Sequence, residues 1–253
     1  MPREARVDIA GLHYVTNRSQ IGKKIFELEM DKRELLSILC KSCDRYEAKI
    51  EAFYLSDSAY HLIVHTSKAN LSLLMRQVSS AYSIYYNRKE KKRGSIWRDR
   101  FSSWVIKEKN DRMLIHKYIA LLPKNEKPEK NPFEYEYSYI NTLFSNKEDI
   151  PCFEKNVKLK KIEHLLSGKF EDSDLIALRG FKRTANKGIK KESTVEERES
   201  LEKIFKKIKT KEKRNKKIKK AFHAGYTQNE IAHFLDLSQS SISKIINGVG
   251  RNL

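Results

Sequence analysis

Ala48-Lys-Ile-Glu-Ala-Phe-Tyr-Leu-Ser-Asp-Ser-Ala-Tyr-His-Leu-Ile-Val-His-Thr-Ser67 decides the fold. Ile50, Ala52 and Tyr54 alternate with Glu51, Phe53 and Leu55. After a tight Ser-Asp-Ser turn, Tyr60, Leu62 and Val64 alternate with Ala59, His61, Ile63 and His65. Two period-two runs closed by turn residues predict a β-hairpin. Side chains two apart on a strand share a face, so His61 and His65 point the same way. A central strand carrying two imidazoles on one face is a place for chemistry as well as for structure.

The neighbouring segments fall into place around this hairpin. Residues 9–16 predict a first strand, and residues 25–46 a helix with Leu28, Leu35, Ile38, Leu39 and Cys43 at helical spacing. Asn70 is placed to cap a second helix with Leu71, Leu74, Val78, Ala81 and Tyr85 on one stripe. That helix runs into the basic stretch Asn87–Arg93, closed by Gly94. A strand follows from Ser102 to Lys107. A third helix begins at Asp111, carries Met113, Leu114, Ile115, Tyr118, Ile119 and Leu122, and is expected to stop at Pro123. The order β-α-β-β-α-β-α predicts an α+β, ferredoxin-like antiparallel sheet with backing helices.

Composition limits the partners. The chain has 253 residues with a formal net charge of +19, and 34% of them are charged. An excess of that size favours nucleic acid or an anionic surface, while 39% hydrophobic residues still support a core. No apolar run reaches membrane-spanning length. Cys40, Cys43 and Cys152 do not form a disulfide framework, so a reducing, cytoplasmic compartment is expected. The Cys40-Lys-Ser-Cys43 pair has no second ligand pair near it in sequence and is taken as two half-buried helix thiols rather than a metal motif.

Beyond the third helix, residues 124–157 are rich in Pro, Asn, Glu, Lys and Tyr and are expected to form a linker. Weak helical patterns lie at Leu159–Leu166 and Asp174–Leu178. Between Lys203 and Lys220 stand eleven Lys or Arg and one acid, Glu212, interrupted by Ile204, Phe205, Ile208 and Ile218. This is a helix with a basic face, either solvated or held near DNA. Thr227 and Glu230 form a capping-box pair for the next helix, and Ser238 is placed to cap another. Ile231, Ala232 and Leu235 face Leu237, Ile242 and Ile245 across a tight turn at Asp236. That arrangement is a helix-turn-helix, and its second helix presents Gln239, Ser240, Ser241, Ser243 and Lys244 to a DNA major groove. Three regions result: 1–145, a linker with short helices at 146–202, and a basic helix with the all-α helix-turn-helix region at 203–253.

Several segments of the first region carry a family likeness: Met1–Arg6, Tyr14-Val-Thr-Asn-Arg18, the hairpin, Ala81-Tyr-Ser-Ile-Tyr-Tyr-Asn-Arg88, Gly94-Ser-Ile-Trp-Arg-Asp-Arg-Phe101 and Tyr118-Ile-Ala-Leu-Leu-Pro123. In this order they resemble the IS200-like, single-tyrosine (Y1, HUH) transposases, and within them the REP-associated tyrosine transposases. The resemblance implies a sheet-borne pair of histidines that holds a divalent metal, Mg or Mn. It also implies a helix-borne tyrosine that attacks single-stranded DNA through a 5′-phosphotyrosine. A covalent intermediate of this kind splits one transesterification into two reversible steps, and the metal polarises the phosphate.

Transferred residue by residue, Tyr118 is the nucleophile position and His61 the second histidine. The first histidine falls on Ala59, and the polar amide four residues after the tyrosine falls on Leu122. His65 shares His61's face but lies about 13 Å along the strand, too far for one ion without a bulge. Asp57 and Glu51 are acids that would have to rebuild the site. The expected DNA contacts of this region are Arg88, Arg98 and Arg100, with Trp97 and Tyr85 either stacking unpaired bases or packing internally.

Two functions from different classes follow. One is a DNA-binding protein on an impaired transposase frame, holding single-stranded or hairpin DNA with the first domain and duplex DNA with the second. The other is an active transposase working through Tyr118. RNA binding by the sheet suits the charge but not the terminal motif. The resemblance also implies a homodimer, and DNA as partner implies a nucleoid-associated location.

Overall fold

The computed structural model describes residues 7–126, 131–145, 150–154, 169–189, 200–206 and 210–246. Two compact units divide the chain, Met1–Glu192 and Ser193–Leu253. The first is built on a four-stranded antiparallel sheet of β1 (Gly11–Arg18), β2 (Ala48–Leu55), β3 (Ala59–Thr66) and β4 (Ser102–Ile106), in the order β2-β3-β1-β4. Between and after them run α1 (Glu29–Arg45), α2 (Leu71–Lys89) and α3 (Lys109–Glu126). The architecture is thus α+β with the expected order of strands and helices.

Alternation assigns the two faces of the sheet. Val15, Leu62 and Val64 belong to one face and share a core with Leu35, Leu39, Leu74, Val78 and Tyr82 of α1 and α2. Burying side chains of this size contributes about 1.5–3 kcal/mol each. Tyr82, rather than Ala81 or Tyr85, completes the α2 stripe. Trp97 is packed against Phe26, Tyr60 and Tyr82, and its indole N–H donates to the Ser79 carbonyl and the Ser83 hydroxyl. The Tyr85 hydroxyl donates to Asp31. Both aromatics are therefore committed to internal packing.

β2 departs from strict alternation. A bulge between Ile50 and Ala52 leaves Ile50 opposite Val64 but Ala52 opposite Ile63, so the two lie on opposite faces. One extra residue reverses the pleat, and that residue is Glu51. Its carboxylate is buried and accepts from Arg112 Nε at 2.6 Å and pairs with His116 Nε2 at 2.8 Å, which clamps α3 to β2. Burial pushes Glu51 up, but the His116 and Arg112 partners outweigh it and hold the acid below its ordinary value. Asp57 is likewise engaged, with Lys32 at 3.0 Å.

Three expectations need correction. Pro123 does not end α3, which continues to Glu126. Proline in the last turn forfeits one hydrogen bond, while Leu121, Leu122 and Pro123 itself are buried there. Residues 131–145 and 150–154 are not a free linker. They run along the outer margin of β2, where Leu55 N–H donates to the Tyr137 carbonyl and Ile50 N–H to the Cys152 carbonyl. α4 (Tyr139–Phe144) sits there, capped by Ser138, with Tyr139 in the core. Finally, Cys40 and Cys152 form a disulfide across 112 residues, and Cys43 alone is a free, buried thiol. The partner for Cys40 arrives only because the segment after α4 returns beside β2.

α5 (Asp172–Thr184) also belongs to the first unit and packs on α3, on the sheet face opposite α1 and α2. The expected pattern at Leu159–Leu166 lies outside the described residues.

The second unit is all-helical. It holds α6 (Leu201–Ile204), α7 (Lys211–His223), α8 (Gln228–Leu235) and α9 (Gln239–Ile246). The basic segment is thus not one continuous helix. Ser200 caps α6 and Thr210 caps α7. Thr227 and Glu230 form the capping box of α8, and Asp236 ends it in the left-handed conformation (φ 52°), which Asp tolerates better than most residues. The Ser238 hydroxyl accepts from the Ser241 N–H at the start of α9. Ile204, Phe205, Ile218, Ala221, Ile231, Ala232 and Ile242 make a separate core. Among the described residues no helix is long and apolar enough to cross a membrane.

Candidate functional site

The face of the sheet under α3 and α5 carries a row of rings. Register places Tyr54 opposite His61, and Tyr14 opposite both Ile63 and Trp104. Across the strands the rings stand in the order Tyr54, His61, Tyr14, Trp104. The Tyr14 ring stacks on His61 with centroids 6.1 Å apart and on Trp104 at 5.4 Å. Tyr118 of α3 meets this row edge-on, 5.8 Å from His61 and 6.3 Å from Tyr14. The fold therefore brings together Tyr118 and His61, far apart in the chain.

The hydroxyl of Tyr14 is 2.7 Å from His61 Nδ1. Burial first, and the Lys182 charge second, push His61 down to about 3, so the imidazole is neutral at physiological pH. A neutral ring that accepts at Nδ1 from Tyr14 carries its proton on Nε2. Tyr118 is raised above the ordinary tyrosine value, by burial and then by the Glu126 charge. A base held so low does not remove the proton of such a phenol, so these groups alone leave the Tyr118 nucleophile protonated.

The site is also short of metal donors. Ala59 has no donor atom, and Leu122 is an apolar, buried residue one turn after Tyr118. His65 is exposed, opposite Leu12 and Lys49 and away from His61. Glu51 and Asp57 are held by their own cations. Glu126, carried to the end of α3 by the extra turn past Pro123, accepts from the Tyr54 hydroxyl at 2.7 Å. Among the described residues no group of three His, Cys, Asp or Glu is arranged to hold a metal ion. One imidazole with its Nδ1 already bonded does not fit the divalent cation that the resemblance implies.

A lysine stands at this place instead. Lys182 of α5 reaches over the row, its Nζ 5.0 Å from the Trp104 centroid, 5.4 Å from Tyr14 and 5.7 Å from Tyr118. Sequence reasoning missed it, because Gly180-Phe-Lys-Arg183 carries no motif. It missed Tyr14 as well, although Tyr14's period-two position opposite the hairpin was a usable signal.

The other expected site residues are scattered by role. Arg88, Arg98 and Arg100 are exposed. Arg98 N–H donates to the carbonyl of Arg18, itself opposite Ala59, which sets this arginine at the His61 end of the sheet. The Asn87 side chain donates to the Gly94 carbonyl and ties the end of α2, with Arg88, to the same loop. On α9, Gln239, Ser240 and Lys244 are exposed, whereas Ser241 and Ser243 are half-buried. The Ser241 hydroxyl is 2.8 Å from that of Ser238, so it serves the cap. Exposed Lys211, Lys213, Lys216, Lys219 and Lys220 line α7.

The four-stranded antiparallel sheet, with the Tyr118 helix crossing the His61 strand, frames the comparison with known proteins. Residues 12–121 match the family described as transposase IS200 like, a span that takes in the sheet, its first three helices, His61 and Tyr118. The family likeness is thus one of the first domain alone, over residues 12–121. Among curated proteins none matches the chain. A solved structure of a REP-associated tyrosine transposase bound to a REP hairpin is similar to it at 15% identity, with a TM-score of 0.48, over 63% of this chain and 99% of that one.

Proposed function

We propose that this protein binds DNA on an IS200-like transposase frame whose catalytic centre is impaired. One observation carries the reading: beside Tyr118 the sheet offers a single imidazole, bonded through Nδ1 to Tyr14 and flanked by Ala59 and Leu122, with a lysine ammonium over the same rings. The first domain holds single-stranded or hairpin DNA along Arg88, Arg98 and Arg100. The helix-turn-helix of α8 and α9 reads duplex DNA through Gln239, Ser240 and Lys244, with Ser241 and Ser243 at its margin and the α7 lysines on phosphates. With DNA as its partner, the protein is nucleoid-associated in the cytoplasm, and the family likeness favours a homodimer.

The rival reading is an active transposase that uses Mg or Mn. It is favoured by one fact, the Tyr118 ring set edge-on to both His61 and Tyr14. A covalent-capture experiment separates the two. Purified protein is mixed with a pool of hairpin-bearing single strands, with Mg²⁺, with Mn²⁺ or with chelator, and denatured. The expected result is no denaturant-resistant adduct, together with salt-sensitive DNA retention that survives Tyr118→Phe. Duplex retention is expected to weaken in Gln239→Ala and Lys244→Ala. A metal-dependent adduct that disappears in Tyr118→Phe would overturn the proposal.

A further inference from the structure

Lys182 is a cation without an anion. Its Nζ is met by three aromatic faces, and among the described residues no carboxylate forms an ion pair with it. Ring quadrupoles recover part of the lost hydration of an ammonium, but a partly desolvated charge gains more from a negative ligand.

Its position is fixed by contacts along the inner side of α5 and at both of its ends. Lys117 of α3 bonds Asp174 at 2.7 Å, and the Phe170 ring lies 5.3 Å from Tyr118. Leu178, Phe181 and Ala185 are buried in the core. Beyond the helix, the Asn186 side chain accepts from Val105 N–H at 3.1 Å and donates to the Ser103 carbonyl at 2.9 Å. A capping box of Glu171 and Asp174 starts the helix. This much anchoring places one ammonium over the Tyr118 ring, 5.7 Å from its centroid.

The polar groups around it are matched in kind. His61 has Nε2 left once Tyr14 takes Nδ1, and that nitrogen is a donor in the neutral ring. Tyr118 adds a hydroxyl. The nearby carboxylate, Glu126, is turned to Tyr54. Two neutral donors and one cation suit a singly charged oxyanion.

We infer that Lys182, His61 and Tyr118 form a metal-independent anion site for one phosphodiester of single-stranded DNA, with the Lys182 ammonium standing in for the family's divalent ion. This deepens the DNA-holding reading of the first domain and rests on it. A monovalent point charge neutralises a phosphate but offers no coordination geometry for an in-line displacement, so the site holds the strand without cutting it.

The test has two arms, both in chelator. In the first, single-stranded oligonucleotide binding is measured against salt for the full chain, Lys182→Met and Lys182→Arg. Lys182→Met is expected to bind about tenfold more weakly, with the salt slope reduced by about 0.7, the share of one phosphate contact on a single strand. Lys182→Arg is expected to keep most of the binding. In the second arm, inorganic phosphate is titrated while the His61 ring and Lys182 ε-methylene signals are followed by NMR. A saturable shift at both, absent in Lys182→Met and present in Lys182→Arg, supports the site even if no oligonucleotide is retained. Failure of oligonucleotide retention would sink the DNA-holding reading alone. Unchanged or tighter strand binding by Lys182→Met, or the absence of any saturable phosphate shift, would overturn the anion site.

Discussion

At the scale of single residues, the centre of the first domain is governed by what His61 has lost. Without a donor at Ala59 or Leu122, its imidazole has turned to Tyr14, and burial with the Lys182 charge keeps it neutral. The consequence for acid stability has a definite sign. In the unfolded chain His61 takes up a proton below about pH 6.5, whereas in the fold it stays neutral down to about 3. Between these values the unfolded state binds more protons, so stability falls as pH drops through the window. His13, buried and lowered mainly by desolvation, adds to the same trend. Urea midpoints for the wild type are expected to drop between pH 7 and pH 5 more steeply than for His61→Gln. Equal slopes would show that His61 is not held neutral. Tyr118, His61 and the missing donors at Ala59 and Leu122 were legible only through the family resemblance, and the fold brings Tyr118 and His61 together. Lys182 stayed hidden because its place depends on α5 docking against α3, a contact with no periodic signature.

At the scale of elements, alternation and the caps of the second unit were legible while tertiary interruptions were not, and Asn70 stands at the N-cap of α2 with its side chain on the Tyr46 carbonyl instead. The Thr227 and Glu230 box, the Ser238 cap and the turn at Asp236 stand where local chemistry put them. Each satisfies backbone groups that a helix end leaves open. Thr227→Ala is expected to cost about 1 kcal/mol, and Asp236→Gly to raise stability by relieving the left-handed residue. Thermal or denaturant melts of the full chain, followed by amide exchange in α8 and α9, measure both changes. A Thr227→Ala variant with unchanged protection would show that the box contributes nothing. By contrast, the Glu51 bulge and the extension of α3 past Pro123 escape a reading by pattern. A bulge costs one residue in an otherwise regular strand, and only the Arg112 and buried His116 partners explain why Glu51 occupies it. The Cys40–Cys152 bond was missed for a similar reason, since two cysteines 112 residues apart carry no spacing rule.

At the scale of the whole molecule, the strand and helix order of the first 126 residues was legible because period-two and helical patterns succeed one another cleanly there. The boundary expected at 145 was drawn from composition, and composition does not register that α5 packs into the first unit. Charge is the other whole-molecule property. With a formal net charge of +19 and exposed lysines along α7, retention of any DNA is expected to fall steeply with salt. The decline follows a straight line in log–log form whose slope counts the phosphates neutralised. Electrophoretic titration of a duplex at several salt concentrations measures it, and a flat response would remove phosphate contacts from the account.

The margins of the sheet have a further consequence, one for solubility. An open strand edge is a template on which a second chain polymerises. Here the β2 margin is occupied by the returning segment, with bridges from Tyr54 to Ser138 and from Ile50 to Phe153, and the β4 margin is met by the side-chain amide of Asn186. Side-chain and main-chain groups thus consume the hydrogen bonds that a foreign strand would seek along these stretches. A very basic protein that gathers along a polyanion reaches high local concentration, where unprotected edges would knit neighbouring copies into fibres. If the proposed DNA binding holds, closed margins let many copies crowd the same strand while each keeps its own fold.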